Sequence, residues 1–287
     1  MALPDPDSAT SFPGTMSLTR WGWGAGVSLF VLVLAGSAAQ AQSIPTPIRQ
    51  WKAAAIFPLT EQLVNQMVRA GNLPTEPGLC PVMPTDLRLV RATYRDMSGD
   101  LYYGEVIVNR MIAEETASIL FDLYVAGFPI NRLSVAMSDD ASMSLDNSSG
   151  FDCGKSARDG HAFTLKDYGL ALDINPRENP FIRPRSPSAL EEFLDMTKDS
   201  SANDPIKDAP LSERLGYFCG SSPEKCMIVP SEGISHLLRD GHAGEVVRSG
   251  PAFRIFSRYG WAWGGDWPQN RRDKIRSDYQ RFERKPR

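Results

Sequence analysis

The chain has 287 residues, 42% of them hydrophobic and 23% charged, a composition that excludes a fibrous or wholly disordered protein and leaves room for one main domain. A net charge of -3 excludes any general attraction to nucleic acid. The last seventeen residues carry eight Lys/Arg against three Asp/Glu, which is read as local chemistry or a solvated face, so no nucleic-acid partner is expected.

The start reads as an export signal over residues 1–41. Arg20 precedes the apolar run "GAGVSLFVLVLAG", and "AAQA" ending at Ala41 supplies the small residues of a cleavage site. The mature chain is expected to begin at Gln42, and Met16 is an alternative start to Met1. The run is short for a span of about 20 residues, so the expectation is an exported protein, periplasmic or extracellular, with no membrane attachment beyond the signal. Cys80, Cys153, Cys219 and Cys226 form an even set, which in an exported chain points to two disulfides. Cys219 and Cys226 enclose the turn-rich "GSSPEK" and are expected to pair, leaving Cys80 with Cys153, one of three possible connectivities.

Residues 42–85 are expected to form an N-terminal helix and linker. In "LTEQLVNQMVRAG" the apolar Leu63, Val64, Met67 and Val68 recur at helical spacing. The main domain follows over 86–287. "GEVIVN" reads as a strand and "MIAEETASILFDLYVAG" as a helix closed by Gly127. "PINRLSVAM" is a further strand candidate. In "GLALDI" the leucines face a core and Asp173 points the other way. "SPSALEEFLDM" opens a helix with Pro187 first, and residues 198–224 read as a polar insertion. "SGPAFRIFSRYG" predicts a helix with Ser249 as N-cap, Pro251 in the first turn and Gly260 at its end. Helices interspersed with short strands make the fold class α+β, with a small mixed or antiparallel sheet flanked by helices.

Four blocks, "DDASMSLDNSSGFDCG", "YGLALDINPRENPF", "FSRYGWAWGGDW" and "DYQRFE", resemble in order and spacing the zinc D-alanyl-D-alanine carboxypeptidases and related peptidoglycan endopeptidases of the VanY/VanX kind. The resemblance runs from about Leu101 to Glu283 and implies a D-Ala-D-Ala carboxypeptidase-like fold. In that family the metal is held by the histidine and aspartate of an S-x-H-x6-D motif and by the histidine of D-Y-Q-H-F, whose first acid is the base. Asp173 matches the ligand aspartate and Asp278 the base. Trp261, Trp263 and Trp267 match an aromatic wall, and Ser142 and Asn175 join them as substrate-binding positions.

The remaining positions depart from the pattern. Lys166 and Arg281 stand where the ligand histidines belong, Thr164 stands for the serine, and Gly154 stands where the family has an arginine. A catalytic zinc takes three protein ligands and a water, and protonated Lys and Arg offer no lone pair. The remaining histidines, His161, His236 and His242, lie in loop-like contexts that do not rebuild the set. No cofactor is therefore expected, although the family uses zinc. The resemblance then implies a cell-wall-directed pseudoenzyme whose partner is a peptidoglycan stem peptide or a periplasmic protein. Two rivals stand beside it: an active zinc carboxypeptidase with an unorthodox ligand set, and a structural or interaction protein with a closed cleft. Lys166 and Arg281 are expected either to pair with Asp173 and Asp278, replacing the charge of the metal, or to point into solvent.

Overall fold

The computed structural model describes residues 54–76, 78–198, 206, 208–267 and 275–286. The expected export signal, its cleavage site and both alternative starts lie outside the described residues. In chain order, β1 (Ala55–Pro58) and α1 (Glu61–Ala70) precede the long hairpin β2 (Leu87–Arg95) and β3 (Leu101–Asn109). Then come α2 (Ala113–Val125), β4 (Arg132–Leu133), α3 (Asp139–Ser144), β5 (Asn147–Ser148), α4 (Gly154–Asp159) and β6 (Ala171–Asp173). The rest is β7 (Phe181–Pro184), α5 (Pro187–Lys198), α6 (Leu211–Ser221), β8 (Cys226–Val229), α7 (Pro251–Arg258), β9 (Ala262–Trp263), β10 (Ser277–Asp278) and β11 (Arg281–Glu283). The class is α+β, as expected, but the strands form several small sheets. Antiparallel triplets run β1-β2-β3, β10-β7-β8 and β6-β11-β9, and β4 and β5 pair in parallel.

The stretch before residue 85 carries the expected helix and more. Thr60 caps α1 by accepting from the Leu63 N–H, and Gly71 closes it at φ 82°. Ahead of it β1 pairs antiparallel with β2. Met67 of α1 packs with Leu87, Leu89, Ile107 and Phe151 in one apolar cluster, and the Cys80–Cys153 disulfide fixes the same corner. The larger core joins Ile119, Leu120 and Leu123 of α2 to Val90, Val106, Leu172, Phe256 and Phe282. The Phe256 and Phe282 rings stack at 3.7 Å, holding α7 against β11.

Several expectations are corrected. The polar insertion carries α6, with Leu215, Phe218 and Cys219 buried, and the Tyr279 hydroxyl donates to Ser212 O at 2.6 Å. The apolar face outweighs the Ser, Glu and Gly content of that stretch. "PINRLSVAM" shrinks to the two residues of β4, because the Ser134 N–H bonds the Asn147 side chain and Ser149 pairs with Asp173 instead. Gly250, not Ser249, caps α7, and no side chain takes part. Ser249 lies at φ 62° and turns its hydroxyl to Arg248 O. The Cys219–Cys226 and Cys80–Cys153 pairings are as expected, and Pro187 opens α5. No helix among the described residues is long and apolar enough to cross a membrane.

Candidate functional site: an ion cluster beside a cleft

Asp173 is the last residue of β6 and is wholly buried. On one side Ser149 exchanges backbone hydrogen bonds with it, at 2.9 and 2.8 Å. On the other side its Cα partner in β11 is Arg281. Lys166 arrives from a tight turn in which Asp167 Oδ2 accepts from both the backbone N–H and the hydroxyl of Thr164. Gly169, at φ 69°, reverses the chain into β6, and a Cβ there would sit 2.7 Å from Asn109 N. Lys166 is thereby folded back over the strand that follows it.

The Lys166 ammonium donates to Asp173 Oδ2 at 2.6 Å and lies 3.8 Å from Asp139 Oδ1. Arg281 donates through Nε to Asp173 Oδ1 and through Nη2 to Asp173 Oδ2 at 3.2 Å. Its Nη2 is also 4.0 Å from Asp278 Oδ2, and its Nη1 4.0 Å from Glu283 Oε1. The ion-pairing expectation therefore holds at Asp173, while Asp278 stands at the edge of the cluster. Both cations point inward, with side chains 9% and 14% exposed, so the solvent-facing alternative fails.

The electrostatics follow from burial and neighbours. Burial alone would raise the Asp173 carboxyl, but Arg281 and Lys166 outweigh it and hold it at about 2. Burial would lower the Lys166 ammonium, yet Asp173 and Asp139 keep it above its ordinary value. Arg281 is likewise raised, against its burial, by Asp173 and Asp278. At Asp278 burial prevails over the pull of Arg281, and the carboxyl is pushed up to about 6. Burial also raises Asp152, against the pull of Lys166. The inner cluster is thus a charged lock, while at Asp152 and Asp278 burial outweighs the neighbouring cations.

A cleft of about 340 Å³ opens over this cluster, and its wall includes Asp139, Asp152, Thr164, Lys166, Asp278 and Arg281. Asp139, Asp152 and Gln280 were not singled out in the sequence, although both aspartates fall inside its first distinctive block. A second cavity of about 290 Å³ shares Asp139, Asp152 and Lys155 with it.

The other anticipated positions lie elsewhere. Trp261 and Trp263 are core residues, 4% and 5% exposed. Their indole N–H groups donate to Glu115 Oε1 and Tyr279 O, so the expected aromatic wall is a packing layer at these two positions. Trp267 is half-buried, with the Arg276 guanidinium 4.8 Å from its ring. Ser142 is buried against Asn147, donating to its carbonyl and accepting from its side-chain amide. Asn175 is fully buried at φ 44°. It spans three segments by accepting from Asn131 N and donating to Pro129 O and Gly244 O. Neither Ser142 nor Asn175 is among the residues that line the cleft.

Gly154 has its own reason. A Cβ built there would lie 1.5 Å from the carbonyl oxygen of Gly71, and Cys153 N donates to Asn72 O alongside. The end of α1 occupies the space that a side chain at 154 would need.

These residues do not fit a zinc ion. Both Asp173 oxygens are engaged by cations, and the ammonium and guanidinium offer no lone pair while protonated. Among the described residues no group of three or more His, Cys, Asp or Glu is placed to hold a metal. His161 is exposed near Asp159, and His242 is exposed near Asp240. His236 bonds the buried Glu245. None of the three lines the cleft.

A family model described as D-alanyl-D-alanine carboxypeptidase matches residues 161–283. That span contains the Lys166 turn, β6 and β11, and over it the chain is similar to that family. No curated protein and no solved structure matches the chain.

Proposed function

We propose that the chain is an exported, cell-wall-directed D-Ala-D-Ala carboxypeptidase-like protein that holds no zinc and binds peptide without cleaving it. The observation that carries this reading is the occupancy of Asp173. Both oxygens of the ligand-position carboxylate accept from Lys166 and Arg281, so a metal would have to displace two buried cations. The match over residues 161–283 supports the family assignment. Two disulfides support export into an oxidising compartment. The open cleft favours binding over a closed, purely structural role, with a peptidoglycan stem peptide as the partner.

Elemental analysis of untagged protein, prepared without chelating resin, tests the metal claim, and substoichiometric zinc is the expected result. Release of D-alanine from stem pentapeptide should be absent. Cosedimentation with purified peptidoglycan should be positive. Stoichiometric zinc that is lost in Asp173→Ala, or D-alanine release, would overturn the reading.

A further inference from the structure

The cleft wall carries Asp139, Asp152, Asp167 and Asp278 against Lys155, Lys166 and Arg281, and of these cations Lys166 and Arg281 direct their hydrogen bonds inward to Asp173. Asp152 Oδ1 and Oδ2 are engaged by Gly154 N and the Asn72 amide. Asp278 is different. It is only 5% exposed, and its Oδ1 has no hydrogen-bond partner. Two residues on, Gln280 is 2% exposed and its Oε1 is also without a partner. Both residues line the cleft, and both unpartnered atoms are acceptors.

A buried acceptor left unpaired is costly, and a charged one more so. Such a pair is relieved by a donor, best of all by a cationic one. A carboxylate meets only acceptors at Asp278 Oδ1 and Gln280 Oε1, although Lys155 also lines the cleft.

We propose that the cleft takes its ligand by an ammonium group, a peptide bearing a free amine side chain whose N–H donors meet Asp278 Oδ1 and Gln280 Oε1, and that it discriminates against a terminal carboxylate. This rests on the reading of the cleft as a peptide-binding site and reverses the ligand polarity that the resemblance leads one to expect. The other oxygen of Asp278, Oδ2, lies 4.0 Å from Arg281 Nη2 within the cluster, so the ammonium meets the oxygen that the cluster leaves unpaired.

The test is titration calorimetry on the full oxidised chain near neutral pH with three probes: acetyl-Ala-Ala-Lys-amide, the same peptide acetylated on the lysine amine, and acetyl-D-Ala-D-Ala. The free-amine peptide should bind about tenfold more tightly than either other probe, and Asp278→Asn should remove about tenfold of that affinity. Gln280→Met should remove a smaller part. Equal affinity for the acetylated peptide, preference for acetyl-D-Ala-D-Ala, failure of all three probes to bind, or an unchanged Asp278→Asn variant would each overturn the proposal. Should either variant fail to fold, the comparison of probes on the unmodified protein decides. Cosedimentation with peptidoglycan but no preference for the amine would leave the cell-wall reading standing and remove this one; preference for the amine without cosedimentation would do the reverse.

Discussion

Arg281 faces Asp173 as its direct partner across the β6–β11 ladder, so one half of the ion cluster is built into sheet register. The other half, Lys166, is set by the turn that Gly169 closes. Because both cations donate to a wholly buried carboxylate, removal of one should strand part of it. Lys166→Ala is expected to destabilise by about 3 kcal/mol, measured by urea unfolding. A cost near zero would mean that Asp173 is satisfied by Arg281 alone.

The combination of Lys166→His with Arg281→His should replace both cations with lone-pair donors around Asp173. Zinc should then raise the unfolding midpoint of the variant in proportion to the logarithm of its concentration, and leave the parent unaffected. A parent protein equally stabilised by zinc would contradict the displacement argument.

The pH dependence has two parts of opposite sign. Asp173 is depressed to about 2 in the folded chain, so its contribution is complete above the ordinary aspartate range and is lost as pH falls through about 2. Glu178 behaves inversely. Burial and the neighbouring Asp146 push its carboxyl up to about 8, so the folded state binds the extra proton between the ordinary glutamate value and 8. Stability therefore falls as pH rises through that window. Glu178→Gln should raise the melting temperature at pH near 8 more than at pH near 5, by calorimetry. Equal effects at the two values would refute the assignment.

The two disulfides close loops of very different length, with sequence separations of 73 and 7. In the chain-entropy account, Cys80→Ser with Cys153→Ser should cost about 4 kcal/mol and Cys219→Ser with Cys226→Ser about 2 kcal/mol. Guanidinium melts of the two double variants check the order. The reverse order would mean that packing around the short loop outweighs the difference in chain entropy.

Gly154→Ala should destabilise by about 1–3 kcal/mol, because its Cβ would overlap Gly71 O. Thermal melts of the oxidised protein measure this. A neutral effect would show that α1 yields easily.

Legibility followed the locality of each signal. The helices α1, α2 and α7 announce themselves through apolar spacing and end residues within one short window. Lys166, Asp173 and Arg281 were identifiable because the distinctive blocks kept their spacing. The β2 strand is absent from the sequence expectations because its burial does not alternate: Leu89 and Val90, then Ala92, Thr93 and Tyr94, are buried in succession, broken only by Arg91. The turn "DMSGD", with Gly99 at φ 88°, was the available signal for a hairpin. The tryptophans misled for another reason: a motif fixes where a ring sits in the chain, but its facing depends on partners far away, here Glu115 and Tyr279. Gln280 and the unpaired oxygens are set by packing between distant segments, which no local pattern encodes.

The meeting of Gly71 and Gly154 makes two distant segments interdependent. A Cβ at 154 would lie 1.5 Å from the Gly71 carbonyl oxygen, and the Cys80–Cys153 bond covalently binds the same corner. Lys166 and Arg281 can each be exchanged without touching that corner, whereas any side chain at 154 requires the end of α1, its closing turn and its cross-link to shift together.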